Sequence, residues 1–249
     1  MSIPKDLCSA LACAAFLAGY GNVFNLLAPR IGGIYRHIYA VAGPLALLAT
    51  ACTCHWRLDR RPLVELGLHC NGWRRSVAWG TLAGALMALP PFLYFRRRSR
   101  SGAVLQSSEI SDIGVLAFLV RLFVVTPLLV AFVEEVAFRG WLQGKLHRAL
   151  PRRPHLANAL ASAAFAAWHV VVNRRTLQGT NAVHDGLVSL PAALVGGLAS
   201  VFAAGFIFGA LYHRTRSLVA PVLCHWLVDA LMLVTLYTQR PRCAERRAA

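Results

Sequence analysis

Apolar residues in this chain form long uninterrupted runs instead of alternating with polar ones. Runs of roughly 17–22 residues, the length an α-helix needs to cross about 30 Å of hydrocarbon, lie at 7–28, 38–55, 76–95, 113–133, 156–172, 191–212 and 217–237. The segments between them are short and rich in arginine, which favours helices over a membrane β-barrel. The pattern therefore predicts an all-α, polytopic membrane bundle of seven to eight transmembrane helices.

The runs follow one another closely enough to predict a single integral-membrane domain over 1–249. Residues 1–112 supply three predicted accessory helices with few internal polar groups, whereas 113–237 contain the charges that lie well inside a run. The first run is longer than the apolar core of a signal peptide and no small-residue cleavage site follows it, so we expect a retained helix. The polar stretch 174–190 is expected to be a linker, with a lid as the alternative.

Composition agrees with a membrane protein and limits its partners. The 249 residues are 57% hydrophobic and 14% charged, with a mean hydropathy of +0.53, outside the range of soluble domains. The net charge of +16 lies in arginine clusters beside the runs, a placement typical of contact with anionic lipids. Since no recognition motif accompanies this charge, we expect no nucleic-acid partner. Lys and Arg are divided almost evenly between alternate loops and predict no orientation.

Three acidic residues lie inside apolar runs: Glu134, Glu135 and Asp229. A carboxylate in hydrocarbon costs several kcal/mol unless it is compensated, so such residues are candidates for a functional site. If 130–148 is helical, Glu135 and Arg139 share a face and can form an ion pair. Glu134 is then rotated by about 100° and has no partner close in sequence. The two neighbouring glutamates are therefore expected to do different jobs.

Two further runs contribute polar side chains at helical spacing. Phe165 and His169 lie one turn apart on one run, and His225 and Asp229 do so on the last. Each pair alone is compatible with packing or a structural hydrogen bond. Together with Glu134 they assemble a carboxylate base, two imidazoles and a further acid. Hydrolysis inside a membrane needs such a set, because a base must take a proton from water and polar groups must hold the resulting oxyanion.

Motifs of other intramembrane proteases are missing from the sequence. It contains no His-Glu-x-x-His motif of zinc proteases, no Gly-x-Ser-Gly serine motif, and no paired Tyr-Asp and Gly-x-Gly-Asp motifs of aspartyl proteases. A glutamate-based site is therefore favoured over these three designs.

The motifs Glu134-Glu135-x-x-x-Arg139, Phe165-x-x-x-His169 and His225-x-x-x-Asp229, in this order on successive runs, resemble those of a known family. It is the CAAX protease and bacteriocin-processing (CPBP, Abi-type) family of glutamic-type intramembrane endopeptidases. The motifs cover roughly 113–237, and the stretch Glu65-Leu-Gly-Leu68 also resembles the family's N-terminal half.

The resemblance implies a role for each motif residue and no cofactor. Glu134 would activate water with assistance from His169, and His225 with Asp229 would form the oxyanion site. Glu135, Arg139 and Phe165 would support them. The implied substrate is a membrane-associated peptide: a prenylated CAAX-type C-terminus, a bacteriocin-type peptide or a C-terminal sorting signal. The short loops and many arginines suit a bacterial cytoplasmic membrane, with the eukaryotic endoplasmic reticulum as the alternative.

Asp229 departs from the family pattern. The family often has Asn here, whose amide can donate a hydrogen bond to an oxyanion, whereas an ionised carboxylate would repel it. Asp229 must then be protonated, or must instead orient and charge His225. We prefer the second role, because a protonated acid would need an apolar pocket that the sequence does not reveal.

Three alternatives remain open from the sequence. Glu134, His169 and His225 could bind one divalent metal such as Zn²⁺, since two histidines and a carboxylate are a catalytic metal set. Glu134, His169 and Asp229 could relay protons in a transporter, although the chain lacks the repeated halves usual in transporters. A non-catalytic membrane scaffold is the third alternative.

Overall fold

The computed structural model describes residues 5–69, 72–100, 105–107, 110 and 113–239. Within these ranges the chain is helical, and its extended pairing is limited to one bridge between Ser107 and Thr180. The helices are α1 Lys5–Leu27, α2 Gly33–Thr53, α3 Trp73–Arg100, α4 Val115–Ala149, α5 Pro154–Trp168, α6 Val170–Gln178, α7 Asn181–His184, α8 Leu190–Thr215 and α9 Val219–Thr238.

The predicted multi-pass bundle is confirmed. Six helices are long and apolar enough to cross a membrane, and a seventh span results if α5 and α6, bent by 47° at their junction, are counted together. Each predicted run falls on one of these spans, and no eighth appears among the described residues. The most extensive helix packing joins α9 to α3 and α8 to α5. The segment carrying the polar motifs thus packs against both halves of the chain.

The linker expected at 174–190 is wrong over most of its length. The chain continues through α6 to Gln178 and then forms the short helix α7. Its polar groups make tertiary contacts: Arg175 Nη1 donates to the carbonyl of Asn25 at 2.7 Å, and Asn181 Oδ1 accepts from the backbone of Gln106 at 2.9 Å. These partners are distant in sequence, so local polarity could not reveal them.

Helix α4 is not uniform along its length. Residues Arg121–Ala131 and Val136–Gln143 are π-helical, with Phe132 N–H bonded to the carbonyl of Pro127. Proline lacks an N–H and disturbs the regular ladder, which accounts for a wider turn near Pro127. The carbonyl of Leu122 accepts from Trp226 Nε1 at 2.8 Å. This bond ties α4 to α9 and fixes the rotation of α9 one residue after His225.

The stretch Glu65-Leu-Gly-Leu68 joins the N-terminal half to the motif-bearing half. Gly67 has φ +84°, a left-handed conformation that favours glycine. Its carbonyl accepts from Leu218 N at 3.1 Å, and the carbonyl of Glu65 accepts from the Tyr212 hydroxyl at 3.1 Å. The turn therefore supports the junction of α8 and α9, which leads directly into the helix that contains His225.

Candidate active site

Glu134 and Glu135 lie in the middle of α4 and are both buried. Glu135 and Arg139 have side chains that are 0% and 2% exposed, and Arg139 Nη1 is 3.1 Å from Glu135 Oε1. The ion pair expected from their spacing is therefore present. Arg139 Nη2 also donates to the carbonyl of Gly205 at 3.2 Å, and the guanidinium lies 4.3 Å from the ring centre of Phe165. These contacts compensate a charge that would otherwise be costly at this depth.

His169 lies at the break between α5 and α6, not inside a continuous helix as its spacing from Phe165 had indicated. Its Nδ1 is 2.8 Å from the carbonyl of Phe165, and its backbone N–H bonds to Ala166 instead. The imidazole thus bonds to the Phe165 carbonyl, which would accept from the backbone N–H of His169 in a continuous helix. This competition accounts for the break. With Nδ1 donating, the ring directs Nε2 towards Glu134.

Asn22 of α1 holds both sides of this break. Its Nδ2 donates to the carbonyl of Ala167 at 2.7 Å, and its Oδ1 accepts from Val171 N at 2.9 Å. A break in a membrane helix leaves backbone N–H and C=O groups without their helical partners. The amide of Asn22 bonds to two of these groups. Sequence reasoning missed this residue, and an asparagine within the first apolar run was the available signal. The N-terminal helices therefore help to position His169.

His225 is fixed by a carboxylate and an aromatic ring. Its Nδ1 donates to Glu135 Oε1 at 2.9 Å, and its ring stacks on Phe208 with centroids 4.9 Å apart. Phe165 meets the same imidazole edge-on at 5.9 Å. Since the hydrogen bond and the stacking determine both the position and the tilt of the ring, Nε2 points towards Glu134 and Asp229.

The polar side chains from three helices converge on one carboxylate oxygen. Glu134 Oε2 is 3.8 Å from His169 Nε2 and 3.9 Å from His225 Nε2, and it has no hydrogen-bond partner within the described protein. Both separations are too long for a direct hydrogen bond but suit a bridging water. The arrangement therefore leaves a buried, unpartnered acceptor oxygen close to two imidazole nitrogens.

Asp229 forms the open side of this cluster. Its Oδ2 is 3.5 Å from His225 Nε2, and its side chain is 36% exposed, compared with 6% for His225. Asp229 thus faces Nε2 of the ring, while Glu135 contacts Nδ1. The contact between Glu135 and His225 was not expected from the sequence, because the two residues are 90 positions apart. Glu135 therefore makes the orienting contact with His225 that the sequence had suggested for Asp229.

The described residues contain no group of three or more His, Cys, Asp or Glu side chains arranged to hold a metal ion. Glu134, His169 and His225, as they stand, therefore do not form a metal site.

The chain can also be compared with known protein families. Residues 116–231 match the family model described as type II CAAX prenyl endopeptidase Rce1-like. This segment contains all seven motif residues: Glu134, Glu135, Arg139, Phe165, His169, His225 and Asp229. No curated protein and no solved structure matches the chain.

Proposed function

We propose that Glu134 activates the water with which this protein hydrolyses its peptide substrate. Through residues 116–231 the chain belongs to the Rce1-like family of CAAX-type intramembrane endopeptidases. Membership of this family identifies the chain as a peptide hydrolase. The apolar helices of the chain identify it as a multi-pass membrane protein. One observation carries the proposal: a buried, unpartnered Glu134 oxygen lies between two imidazole nitrogens at 3.8 and 3.9 Å.

The proposed reaction begins with water held by Glu134 and His169. The carboxylate of Glu134 takes one proton from water as the oxygen attacks the carbonyl carbon of the scissile bond. His169 Nε2, whose ring is fixed through Nδ1, accepts a hydrogen bond from the same water and aligns it. When the tetrahedral intermediate collapses and the C–N bond breaks, Glu134 returns the proton to the leaving amine. No covalent intermediate with the enzyme is required.

His225 is the proposed donor to the oxyanion. Because its Nδ1–H is already bonded to Glu135, a donor at Nε2 requires the doubly protonated ring. The positive charge of that ring lies between the carboxylates of Glu135 and Asp229, at 2.9 and 3.5 Å. Such a preorganised donor stabilises negative charge as it develops on the attacked carbonyl. Glu135 orients His225, and Asp229 supplies charge on the side that faces substrate.

A membrane-associated peptide is the substrate class, and a prenylated Cys-a-a-X C-terminus is our first candidate. Bacteriocin-type peptides and C-terminal sorting signals are the others, and the arginine-rich loops support a bacterial cytoplasmic membrane with anionic lipids. We expect the purified protein in liposomes to release a tripeptide from a farnesylated Cys-a-a-X peptide, detected by mass spectrometry. Cleavage should persist after exhaustive chelation. Loss on chelation and recovery with Zn²⁺ would instead favour the metal-dependent alternative.

The natural substrate can be sought in cells. C-termini and membrane peptides would be compared by mass spectrometry between cells that contain the wild-type protein and cells that contain Glu134→Ala. Peptides that are shortened only with the wild type identify the substrate. No difference across all three substrate classes, together with no cleavage in liposomes, would contradict peptidase activity.

Replacing Asp229 by Asn tests its role. We expect kcat to fall about tenfold, equivalent to about 1.4 kcal/mol, because the neutral amide no longer balances the charged ring of His225. The variant Asp229→Ala should lose a similar amount. Retained or increased activity in Asp229→Asn, with loss only in Asp229→Ala, would show that the residue acts as an oxyanion donor. The measurement is kcat on one peptide for all three proteins.

A further inference from the structure

An open cavity lies at one end of the bundle, where three membrane helices begin or end. Its volume is about 360 Å³, and pockets for small molecules typically have about 300–1,000 Å³. Helix α1 begins here at Lys5, the span that contains α2 ends here at Leu58, and α4 ends nearby at Ala149. We call this cavity the basal pocket, and its charged lining residues are Lys5, Asp6, Asp59, Arg61, Lys145 and Arg148.

The lining of the basal pocket carries an excess of positive charge. Four of its charged residues are cationic and two are acidic, so its formal charge is +2. Arg61 also lies 3.6 Å from Glu65, but both side chains are exposed, at 46% and 39%, and such pairs contribute little. A concave site with this sign of charge concentrates anions. The pocket is therefore suited to an anionic ligand.

Asp59 organises the wall of the basal pocket. It accepts a hydrogen bond from Trp141 Nε1 at 3.2 Å and pairs with Lys145 Nζ, and Arg148 Nη2 lies 4.0 Å from its carboxylate. The Lys145 side chain is only 10% exposed, yet the contact with Asp59 uses one of the three N–H donors of an ammonium group. The acid therefore holds two cations of α4 in place at the end of the second span, before any ligand arrives.

The surroundings of the pocket indicate that the ligand also has an apolar part. Leu58 lines the pocket and is 76% exposed, and Trp56, two residues before it, is 53% exposed. Lys145 lies four residues before the end of α4, about 6 Å at 1.5 Å per residue, which is the depth of lipid head groups. Tryptophan is enriched at this level of a membrane. A molecule with an anionic head and an acyl chain can contact both the cations and the exposed apolar residues.

The basal pocket is separate from the candidate active site. Lys145 follows Glu134 by eleven residues, about 16 Å along α4. The residues of α4 between them include Phe138 and Leu142, which are fully buried in the core. The exposed side of the active site lies instead at Asp229. A ligand in the basal pocket therefore does not touch the groups of the proposed reaction.

We propose that the basal pocket binds the phosphate of an anionic phospholipid head group, with Lys145 and Arg148 as direct donors and Lys5 and Arg61 as additional positive charges. Basic pockets between membrane helices recognise lipid head groups by this chemistry. Free inorganic phosphate shares the same chemistry, so the experiment separates the two sources. The site is independent of the proposed reaction, since no residue of the active site takes part in it.

Native mass spectrometry of the full chain in detergent tests the pocket. We expect a retained adduct with phosphatidylglycerol and none with phosphatidylcholine, whose choline balances the charge of its phosphate. Arg148→Gln should weaken binding of phosphatidylglycerol about fivefold, because it removes one cation beside the head group. Asp6→Asn should strengthen binding about twofold, because it removes an acid that repels the phosphate. The matched control is Arg97→Gln, which removes an exposed arginine near the other end of α3 and should leave binding unchanged.

Each remaining outcome decides the proposal. Equal retention of the two lipids, or equal losses in Arg148→Gln and Arg97→Gln, would overturn the pocket and leave only general attraction to a basic surface. Full displacement of phosphatidylglycerol by an excess of inorganic phosphate would overturn the lipid as the source of the phosphate. If Arg148→Gln does not fold, unchanged affinity in Asp6→Asn refutes the pocket equally. Glu134→Gln should bind the lipid as the wild type does, so failure of the proposed reaction would leave this result intact.

Discussion

Replacing Glu134 by Gln is expected to lower kcat about 10³-fold while leaving the fold intact. General acid–base groups contribute about 10²–10⁴-fold, and here the same carboxylate takes the proton from water and returns it to the leaving amine. An amide of the same shape can do neither. In the wild type, Glu134 Oε2 lies 3.8 Å from His169 Nε2 and 3.9 Å from His225 Nε2. A neutral amide at this position is easier to bury than a carboxylate. The midpoint temperature of thermal unfolding should therefore be unchanged or slightly higher.

The control for this variant is Glu65→Gln. Glu65 is exposed and paired with Arg61 at 3.6 Å at the edge of the bundle, so its charge is remote from the chemistry and activity should stay within about twofold. A second comparison combines Glu134→Gln with His169→Gln. If both side chains hold the same water, the double variant should be scarcely worse than Glu134→Gln alone. Glu134→Gln with more than about a tenth of wild-type kcat would contradict the mechanism.

Replacing Arg139 by Met is expected to cause the largest loss of stability. The Arg139 side chain is 2% exposed, and its removal leaves the buried carboxylate of Glu135 without its cation. Breaking one partner of a buried ion pair costs about 3–5 kcal/mol. Activity should fall as well, because Glu135 also holds His225 Nδ1 at 2.9 Å. Unfolding can be followed by reaction of the buried thiols of Cys13 and Cys224 with a fluorogenic maleimide during heating.

A double variant separates stability from catalysis. Glu135→Gln together with Arg139→Met removes the uncompensated charge and should recover much of the lost stability. It should not recover activity, because the ring of His225 no longer lies against a charged carboxylate. The matched control is Arg61→Met, which removes an exposed partner and should change stability by less than about 1 kcal/mol. Equal effects of Arg139→Met and Arg61→Met would refute a structural role for the buried pair.

Local regularities in the sequence predicted much of the candidate site. Helical spacing placed Glu135 beside Arg139 and His225 beside Asp229, because residues four apart share a helix face whatever the rest of the fold does. The same reasoning placed His169 inside a helix, where the structure has a break. That break depends on a side chain that takes a backbone carbonyl, and on Asn22 from a helix about 145 residues away.

The sequence by itself determined the membrane-spanning runs, the all-α bundle and the identity of the motif residues. These follow from the thickness of the bilayer and from the free-energy cost of a charge within it, and both act on each segment separately. Only the tertiary structure decided that Glu135 rather than Asp229 holds His225 Nδ1, and that Gln143 and Asn158 pack closely against Gly209. Such contacts depend on the rotation and depth of one helix against another. Those are set by packing across the whole bundle, which no single helix encodes.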